Sequence, residues 1–235
     1  MLSATEIDII LLSLKVAVWS VLASLPFAIA VAHVLARRDF PGKSLADAVV
    51  HLPLVLPPVV IGYFLLILLG RRGPLGAWLE DWFGVVVAFR WTGAAIACAV
   101  MGFPLMVRAI RLSIDAIDPK LEAAAETLGA GHLGAFLTIT LPLALPGILT
   151  GILLSFARGL GEFGATITFV SNIPGETQTL PLAIYSLTQV PGGDAQALRL
   201  CVISIVLSLA ALLASEALVR RATRRVLGYD APGRA

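Results

Sequence analysis

The chain has 235 residues, of which 58% are hydrophobic and 14% are charged, and its mean hydropathy is +0.93. Soluble globular domains carry about 25% charged residues, so this composition excludes a water-soluble globular protein and indicates one surrounded by membrane lipid. The formal net charge of +2 gives no basis for a nucleic-acid partner. The length favours a single domain over residues 1–235.

Five segments are apolar enough to cross a bilayer, which takes about 20 residues per helix. The sequence therefore predicts an all-α fold, a polytopic bundle of about five transmembrane helices, at residues 9–36, 45–70, 91–106, 141–160 and 198–219. The first segment follows Glu6 and Asp8 and has Arg37 and Arg38 behind it, which is the reverse of a signal peptide. We expect it to remain as an uncleaved span.

The distribution of Lys and Arg predicts the orientation, because these residues concentrate in cytoplasmic loops. This distribution predicts a multi-pass protein of the cytoplasmic (inner) membrane, with its N-terminus outside and its C-terminus in the cytoplasm. The basic residues then inside are Arg37, Arg38, Lys43, Arg108, Arg111, Lys120, Arg220, Arg221, Arg224 and Arg225. A sixth span over residues 163–170 would reverse the C-terminus, so residues 161–195 are predicted to lie outside, with a re-entrant course as the alternative.

A short capped helix is predicted on the cytoplasmic side, in residues 118–130. Asp118 is a good N-cap and Pro119 fits the first helical position, while Gly129 is a typical C-terminal stop. Apolar residues recur at helical spacing and form one stripe, which consists of Leu121, Ala124, Ala125 and Leu128. A stripe made mostly of alanine fits either a groove of another protein or the helix's own bundle, and the residues alone leave both open.

This segment resembles the signature loop of ABC-importer permeases, in which E-A-A is followed by three residues, G, nine residues, I, one residue and L-P. With Gly129 as the family glycine, Ile139, Leu141 and Pro142 match the later positions of the motif. The first position differs, because Ala123 stands where the family has glutamate and Glu122 comes one residue earlier. The resemblance implies a coupling helix that inserts into a cleft of a separate ATPase subunit. Its implied coupling residues are Glu122, Ala123, Ala124, Ala125, Gly129, Ile139, Leu141 and Pro142.

Longer segments resemble the molybdate-importer permeases within this family. They are LEAAAETLGAGHLGAFLTITLPLALPGI, ARGLGEFGATITFVSNIPGETQTLP and VPGGDAQALRLCVISI. Sulfate/thiosulfate permeases share the GEFGA and GET-TLP elements, which makes them the nearest rival. The resemblance implies a type I ABC-importer permease fold, a homodimer, a cytoplasmic ATP-binding ABC subunit and a periplasmic or extracellular oxyanion-binding protein.

No catalytic residue, metal site or cofactor is expected in this chain. A phosphate-gripping loop needs G-x-x-x-x-G-K-[ST], and although Gly42, Lys43 and Ser44 match its end, Arg37 stands where the first glycine belongs. The motifs H-E-x-x-H and G-x-S-x-G are also absent from the sequence. We therefore expect a translocation subunit, with ATP hydrolysed by the separate subunit.

Four residues near the outer end of the fourth span are candidates for an oxyanion path or gate. Ionisable groups at membrane depth are costly and carry function by default, yet Arg158 and Glu162 are spaced to pair with each other on a helix. They are thus either a structural pair or a gate element, and Thr166 and Thr168 could line the path. Residues 171–193 are rich in turn signals and form either a docking surface for the binding protein or a solvated connector.

Two classes of function remain at this point. The first is a permease that passes molybdate, and tungstate with it, inward, with sulfate or thiosulfate as the alternative ion. The second is a membrane scaffold that uses the cytoplasmic helix to recruit a soluble partner and transports nothing.

Overall fold

Among the helices that the structure describes, three are long and apolar enough to cross a membrane by themselves. They are Ala4–Arg37, Trp91–Asp115 and the Asp194–Ala214 part of the last helix. Two bent helix pairs also pass the test of length and composition, Lys43–Val55 with Pro58–Leu69 and His132–Leu143 with Leu145–Leu160. Counting each bent pair as one span gives up to five spans, in agreement with the predicted number.

The computed structural model describes residues 3–227, and within this range the chain is helical, with no β-strand. The predicted all-α class is therefore confirmed. The helices are α1 (Ala4–Arg37), α2 (Lys43–Val55), α3 (Pro58–Leu69), α4 (Pro74–Phe83), α5 (Trp91–Asp115), α6 (Pro119–Thr127), α7 (His132–Ala135), a π-helical turn (Phe136–Thr140), α8 (Leu141–Leu143), α9 (Leu145–Leu160), α10 (Gly164–Val170), α11 (Leu180–Thr188) and α12 (Asp194–Leu227).

The long helices extend past the predicted spans. Ser3 caps α1, since its hydroxyl accepts from the Glu6 backbone N–H at 3.2 Å and the Glu6 carboxylate accepts from the Ser3 N–H at 2.7 Å. This reciprocal pair satisfies two amides that the first turn cannot bond internally. The third predicted span, 91–106, begins where α5 begins but continues to Asp115, because polar residues at a bundle end do not interrupt a helix.

The predicted second span, 45–70, is not one continuous helix. Helix α2 ends at Val55 and α3 begins at Pro58, and the two are bent by 111°. Pro57 cannot donate a backbone hydrogen bond and pushes the residue before it out of the helical region; Leu56 accordingly has φ −72° and ψ 144°. The adjacent prolines Pro57 and Pro58 therefore divide the predicted span into two helices.

The predicted fourth span, 141–160, also contains a bend. The helix that includes α8 meets α9 at 67° around Ala144. Pro146 has no N–H to continue the helical ladder across this point. The five residues before α8, Phe136–Thr140, form a π-helical turn, an irregularity that is frequent at functional sites.

Helix α5 packs against both α1 and α9, and its contact with α9 is made by small residues. On α9 the buried small residues recur at every fourth position, at Gly147, Gly151, Ser155 and Gly159. A Cβ on Gly151 would lie 3.0 Å from the carbonyl oxygen of Met106 on α5. Such small-xxx-small spacing lets membrane helices bring their backbones together, and the sequence analysis did not use it.

The predicted outside segment, 161–195, packs on the bundle along much of its length. Helix α10 lies against α3 and α5, and its Phe169 and Val170 are fully buried. At the start of α11 the Leu180 N–H donates to the Ser13 hydroxyl of α1 at 2.8 Å. The solvated-connector interpretation of residues 171–193 is therefore wrong for the start of α11, because Leu180, Leu182 and Ala183 are buried there.

The α5–α9 packing predicts opposite results for two glycine-to-alanine changes on one helix. In Gly147→Ala the new Cβ would lie 2.2 Å from the Ser113 Cβ, so we expect a loss of about 1–3 kcal/mol in stability. In Gly159→Ala the nearest atom, the Cys98 Cβ, is 3.5 Å away, and alanine's higher helix propensity offsets any loss.

Thermal unfolding of the two purified variants in the same detergent provides the measurement. Gly147→Ala is expected to melt below the parent protein, and Gly159→Ala at or above it. Equal melting temperatures for both variants would contradict the proposed close contact.

Candidate functional site

Helix α6 is a capped helix that projects from one end of the bundle. The Asp118 carboxylate accepts from the Lys120 N–H at 2.9 Å, and Pro119 occupies the first helical position. At the other end Gly129 has φ +93°, and the Ala130 N–H donates to the Ala125 carbonyl at 3.0 Å. This is the left-handed glycine termination, so the predicted caps are confirmed.

The apolar stripe of α6 faces solvent, with one exception. Leu121 is 48% exposed and Leu128 is 89% exposed, and Ala124 lies exposed between them. Ala125, by contrast, is half-buried, as Glu122 is. The exposed stripe therefore consists of Leu121, Ala124 and Leu128, while Ala125 turns towards the bundle; Ala123 is exposed on another side of the helix.

Glu122 holds α6 on the bundle through a single carboxylate oxygen, Oε1. This atom accepts from the Arg37 Nε at 3.0 Å and from the Thr140 hydroxyl at 2.7 Å. The Arg37 Nη2 also donates to the Ile117 carbonyl at 3.0 Å. The Arg37 and Glu122 side chains are 13% and 19% exposed. The bond between Arg37 and Glu122 joins two charged groups and is stronger than a neutral hydrogen bond, and the cluster connects α6 to the end of α1 and to the π-helical turn.

The remaining coupling residues of the sequence analysis lie directly after α6 along the chain. Ile139 is half-buried in the π-helical turn, and Leu141 and Pro142 form the short α8 ahead of the 67° bend. A contact between the Glu126 carboxylate and the His132 ring also joins α6 to α7. The predicted coupling element is thus contiguous in space, and its role in coupling stays a prediction.

The basic turn between α1 and α2 places Lys43 against Asp39. The Lys43 ammonium donates to the Asp39 carboxylate at 2.9 Å, and this hydrogen bond lowers the pKa of Asp39. Lys43 is thus engaged by its own loop, as expected of a basic turn.

Arg158 and Glu162 form the predicted ion pair, with 2.5 Å between the Arg158 Nη1 and the Glu162 Oε2. Glu162 is only 2% exposed, and its other oxygen accepts from the Ala165 N–H at 2.7 Å. The carboxylate therefore neutralises the arginine and also caps the first turn of α10. This arrangement supports the structural-pair interpretation.

The two threonines proposed for the path bond their own helix. The Thr166 hydroxyl donates to the Phe163 carbonyl at 2.9 Å, and the Thr168 hydroxyl donates to the Gly164 carbonyl at 2.9 Å. Thr166 is fully buried, whereas Thr168 is half-buried. The path or gate role of these threonines, and of Arg158 and Glu162, stays a prediction.

The sequence did not predict which distant side chains bond Glu122 and the start of α5. Arg37 and Thr140 contact Glu122 across 85 and 18 residues, and Glu176 accepts from the Trp91 N–H at the start of α5 at 3.4 Å. No periodic pattern connects such distant residues. The GET element that contains Glu176 was noticed only as a family resemblance, and its structural role comes from the contact with α5.

Lys15 and His33 of α1 and His51 of α2 also make contacts within the chain. The Lys15 ammonium lies 3.7 Å from the centre of the Trp91 ring, and the His51 Nδ1 is 2.8 Å from the Asp47 carbonyl oxygen. The His33 ring packs edge-on against Phe136, with 4.7 Å between their centres. Across residues 3–227, no group of three or more His, Cys, Asp or Glu side chains is arranged to hold a metal ion.

The family model for binding-protein-dependent transport system inner membrane components matches residues 24–224. This range contains α6, the π-helical turn and the Arg158–Glu162 pair. The chain belongs to this family. It is accordingly an inner-membrane transport component.

Relatives at high identity cover nearly the whole chain. ModB of Escherichia coli strain K12, a molybdenum transport system permease protein, is 61% identical over 224 residues, 95% of this chain and 98% of the relative. ModB of Haemophilus influenzae is 61% identical over 221 residues, 94% of this chain and 96% of the relative. The sulfate transport system permease protein CysT of E. coli strain K12 is 37% identical over 206 residues, 86% of this chain and 73% of the relative. The predicted resemblance to molybdate-importer permeases is confirmed.

Solved ABC transporters share the fold. A chain of a bacterial alginate ABC transporter, in complex with an alginate pentasaccharide-bound periplasmic protein, aligns with a TM-score of 0.74 at 20% identity, covering 94% of this chain and 81% of that chain. A chain of the inward-facing MetNI methionine transporter aligns with a TM-score of 0.67 at 16% identity, covering 95% of this chain and 100% of that chain. The likeness shows the predicted type I importer permease fold.

The buried ion pair predicts that one mutation is repaired by a second. In Arg158→Gln the Glu162 carboxylate loses its counter-charge while buried, which costs about 3–5 kcal/mol. In the double variant Arg158→Gln/Glu162→Gln no charge remains, and the amide oxygen can still accept from the Ala165 N–H. We expect the single variant to melt well below the double variant.

Arg220→Gln is the control for this pair. It breaks an exposed pair of the same spacing, Glu216–Arg220, in which the side chains are 60% and 70% exposed, and exposed pairs contribute about 0–1 kcal/mol. If Arg158→Gln melts at the same temperature as Arg220→Gln, the buried pair does not have the stabilising role assigned to it.

Proposed function

We propose that this chain is the membrane-spanning permease subunit of an ATP-driven importer that passes molybdate into the cytoplasm. The observation that carries the proposal is the 61% identity, over 95% of the chain, to a molybdenum transport permease. The sulfate permease at 37% identity makes sulfate the second candidate ion. Tungstate has the same charge and tetrahedral shape as molybdate, so we expect it to follow the same route.

The orientation proposed from the sequence is supported by the clustering of basic residues at one end of the bundle. The Arg37–Glu122 contact joins the end of α1 to α6, and the Arg111 Nη1 lies 2.6 Å from the Asp47 Oδ1, joining α5 to α2. Loop and helix-end residues from separate segments thus share this end. Because Lys and Arg concentrate on the cytoplasmic side, we place this end in the cytoplasm, with the N-terminus outside and the C-terminus inside.

The exposed stripe of α6 is the proposed docking surface for a cytoplasmic ATP-binding ABC subunit. Leu121, Ala124 and Leu128 offer a low, uncharged ridge that can enter a groove, and the helix is attached to the bundle at Glu122 on another side. The sequence contains no phosphate-gripping loop. ATP hydrolysis is therefore assigned to the docked subunit, with this chain acting as the translocation subunit.

Two further partners complete the proposed assembly. Five spans are few to enclose a path that opens alternately to either side, and a two-fold homodimer supplies a second set. A periplasmic or extracellular oxyanion-binding protein would deliver the ion; the alginate transporter with the same fold was solved with its periplasmic protein bound.

Reconstitution in vesicles tests this function. The permease, its cognate ATPase and its binding protein are expected to take up radiolabelled molybdate only when ATP reaches the ATPase side. Excess unlabelled tungstate should compete, and sulfate should compete weakly. Strong competition by sulfate would assign the chain to the sulfate branch, and a complete assembly without ATP-dependent uptake would favour the non-transporting scaffold.

The docking surface predicts that one charge on the α6 stripe prevents assembly. Ala124→Asp puts a carboxylate at the centre of the exposed ridge, which weakens ATPase binding by about 2 kcal/mol or more, close to thirtyfold. Lys120→Asp introduces the same side chain on the same helix but off the stripe. Co-purification with the tagged ATPase measures both; if Ala124→Asp is retained as well as Lys120→Asp, the stripe is not the docking surface.

A further inference from the structure

The contacts of α6 with its own bundle are few. Within residues 119–127 no residue is buried, so the helix has no apolar core to hold it in place. Among its described side chains, Glu122 contacts α1 and the π-helical turn, and Glu126 pairs with His132. The position of α6 relative to the long helices therefore depends on the bonds of the Glu122 carboxylate.

These bonds connect three separate elements at one atom. Arg37 is the last residue of α1, and Thr140 is the last residue of the π-helical turn. Thr140 is fully buried, so its hydroxyl moves with the bundle, and the 67° bend follows at Ala144. A displacement of Glu122 is thus passed both to the end of α1 and to the hinge before α9.

The surroundings of the cluster leave space for such a displacement. A cavity of about 210 Å³ lies beside it, and its wall combines the apolar Ala135 and Phe136 with the polar or charged side chains of His33, Arg38, Glu126 and His132. A cavity of this size with polar groups in its wall can admit water, so water can occupy the space that a shift of α6 would open. The cluster is adjustable, in contrast to the tightly buried Arg158–Glu162 pair.

We propose that the Arg37–Glu122–Thr140 cluster transmits movement of α6 to α1 and to the bend before α9. Closure of the ATPase subunits would then change the conformation of the permease through this cluster. The inference rests on the proposed function. Arg37 and Thr140 act through Glu122 and are positioning residues in this proposal. The displacement of Glu122 by one residue from the family's E-A-A position is consistent with this inward role.

The test uses changes that break the cluster and leave the docking stripe intact. Thr140→Val keeps the shape of the side chain and removes the donor to Glu122, whereas Thr138→Val is its control, since the exposed Thr138 hydroxyl donates only to the Gly134 carbonyl at 2.7 Å. Arg37→Gln removes the ion pair, and Arg38→Gln removes the same charge from the next, exposed position.

Each variant is reconstituted with the ATPase and the binding protein, and three quantities are measured: ATPase co-purification, ATP hydrolysis and molybdate uptake. We expect Thr140→Val and Arg37→Gln to bind the ATPase normally and to show about a tenfold fall in uptake per ATP hydrolysed. The two controls should keep the parent ratio. In a Glu122→Ala background, Thr140→Val should cause no further fall, because its acceptor is already gone.

Three results would overturn the inference. They are an unchanged uptake-to-hydrolysis ratio in Thr140→Val and Arg37→Gln, a loss of ATPase binding in both, and a full additional fall on adding Thr140→Val to Glu122→Ala. The parent complex tests the proposed function separately: if it takes up no oxyanion with ATP, transport itself is wrong, whereas active parent and controls with unaffected variants reject only the cluster.

Discussion

The close approach of α5 to α9 is the contact on which both ends of this molecule depend. Lipid gives little hydrophobic reward for helix association, so tight van der Waals packing between backbones has to hold the bundle. The small residues of α9 allow it: a Cβ on Gly102 of α5 would lie 2.2 Å from the Ser155 hydroxyl oxygen. With α5 held in this way, the Trp91 N–H in its first turn donates to the Glu176 carboxylate. Just past its other end, the Ile117 carbonyl accepts from Arg37.

Glu162 and Glu122 both bond an arginine, but Glu162 is buried and Glu122 is partly exposed. Glu162 is buried with its arginine and caps α10, so moving it would expose an uncompensated charge to a low dielectric. Glu122 is partly exposed and lies beside a polar cavity, where water can replace a broken contact. A rigid pair near α10 and a more exposed cluster at α6 suit the proposed permease, in which an ATPase subunit would act on the α6 end.

Both broken spans have proline at or beside the break. The 111° bend between α2 and α3 and the 67° bend before α9 occur where backbone hydrogen bonds cannot continue. Near the second bend, the π-helical turn ends at Thr140, which is also a donor to Glu122. The attachment of α6 and the bend before α9 are therefore neighbours in sequence and in space.

The sequence by itself determined the membrane class, the number of spans, the caps of α6 and the i, i+4 pair of Arg158 with Glu162, because each depends on composition or on neighbours within one helix. The resemblance to ABC-importer permeases supplied the prediction of a coupling loop. Only the tertiary structure decided that Ala125 turns inward, that α10 is buried against α3 and α5, and that Glu122 bonds Arg37 and Thr140. Those features are contacts between residues up to 85 positions apart, and helical periodicity carries no information about which distant side chain will fill a given space.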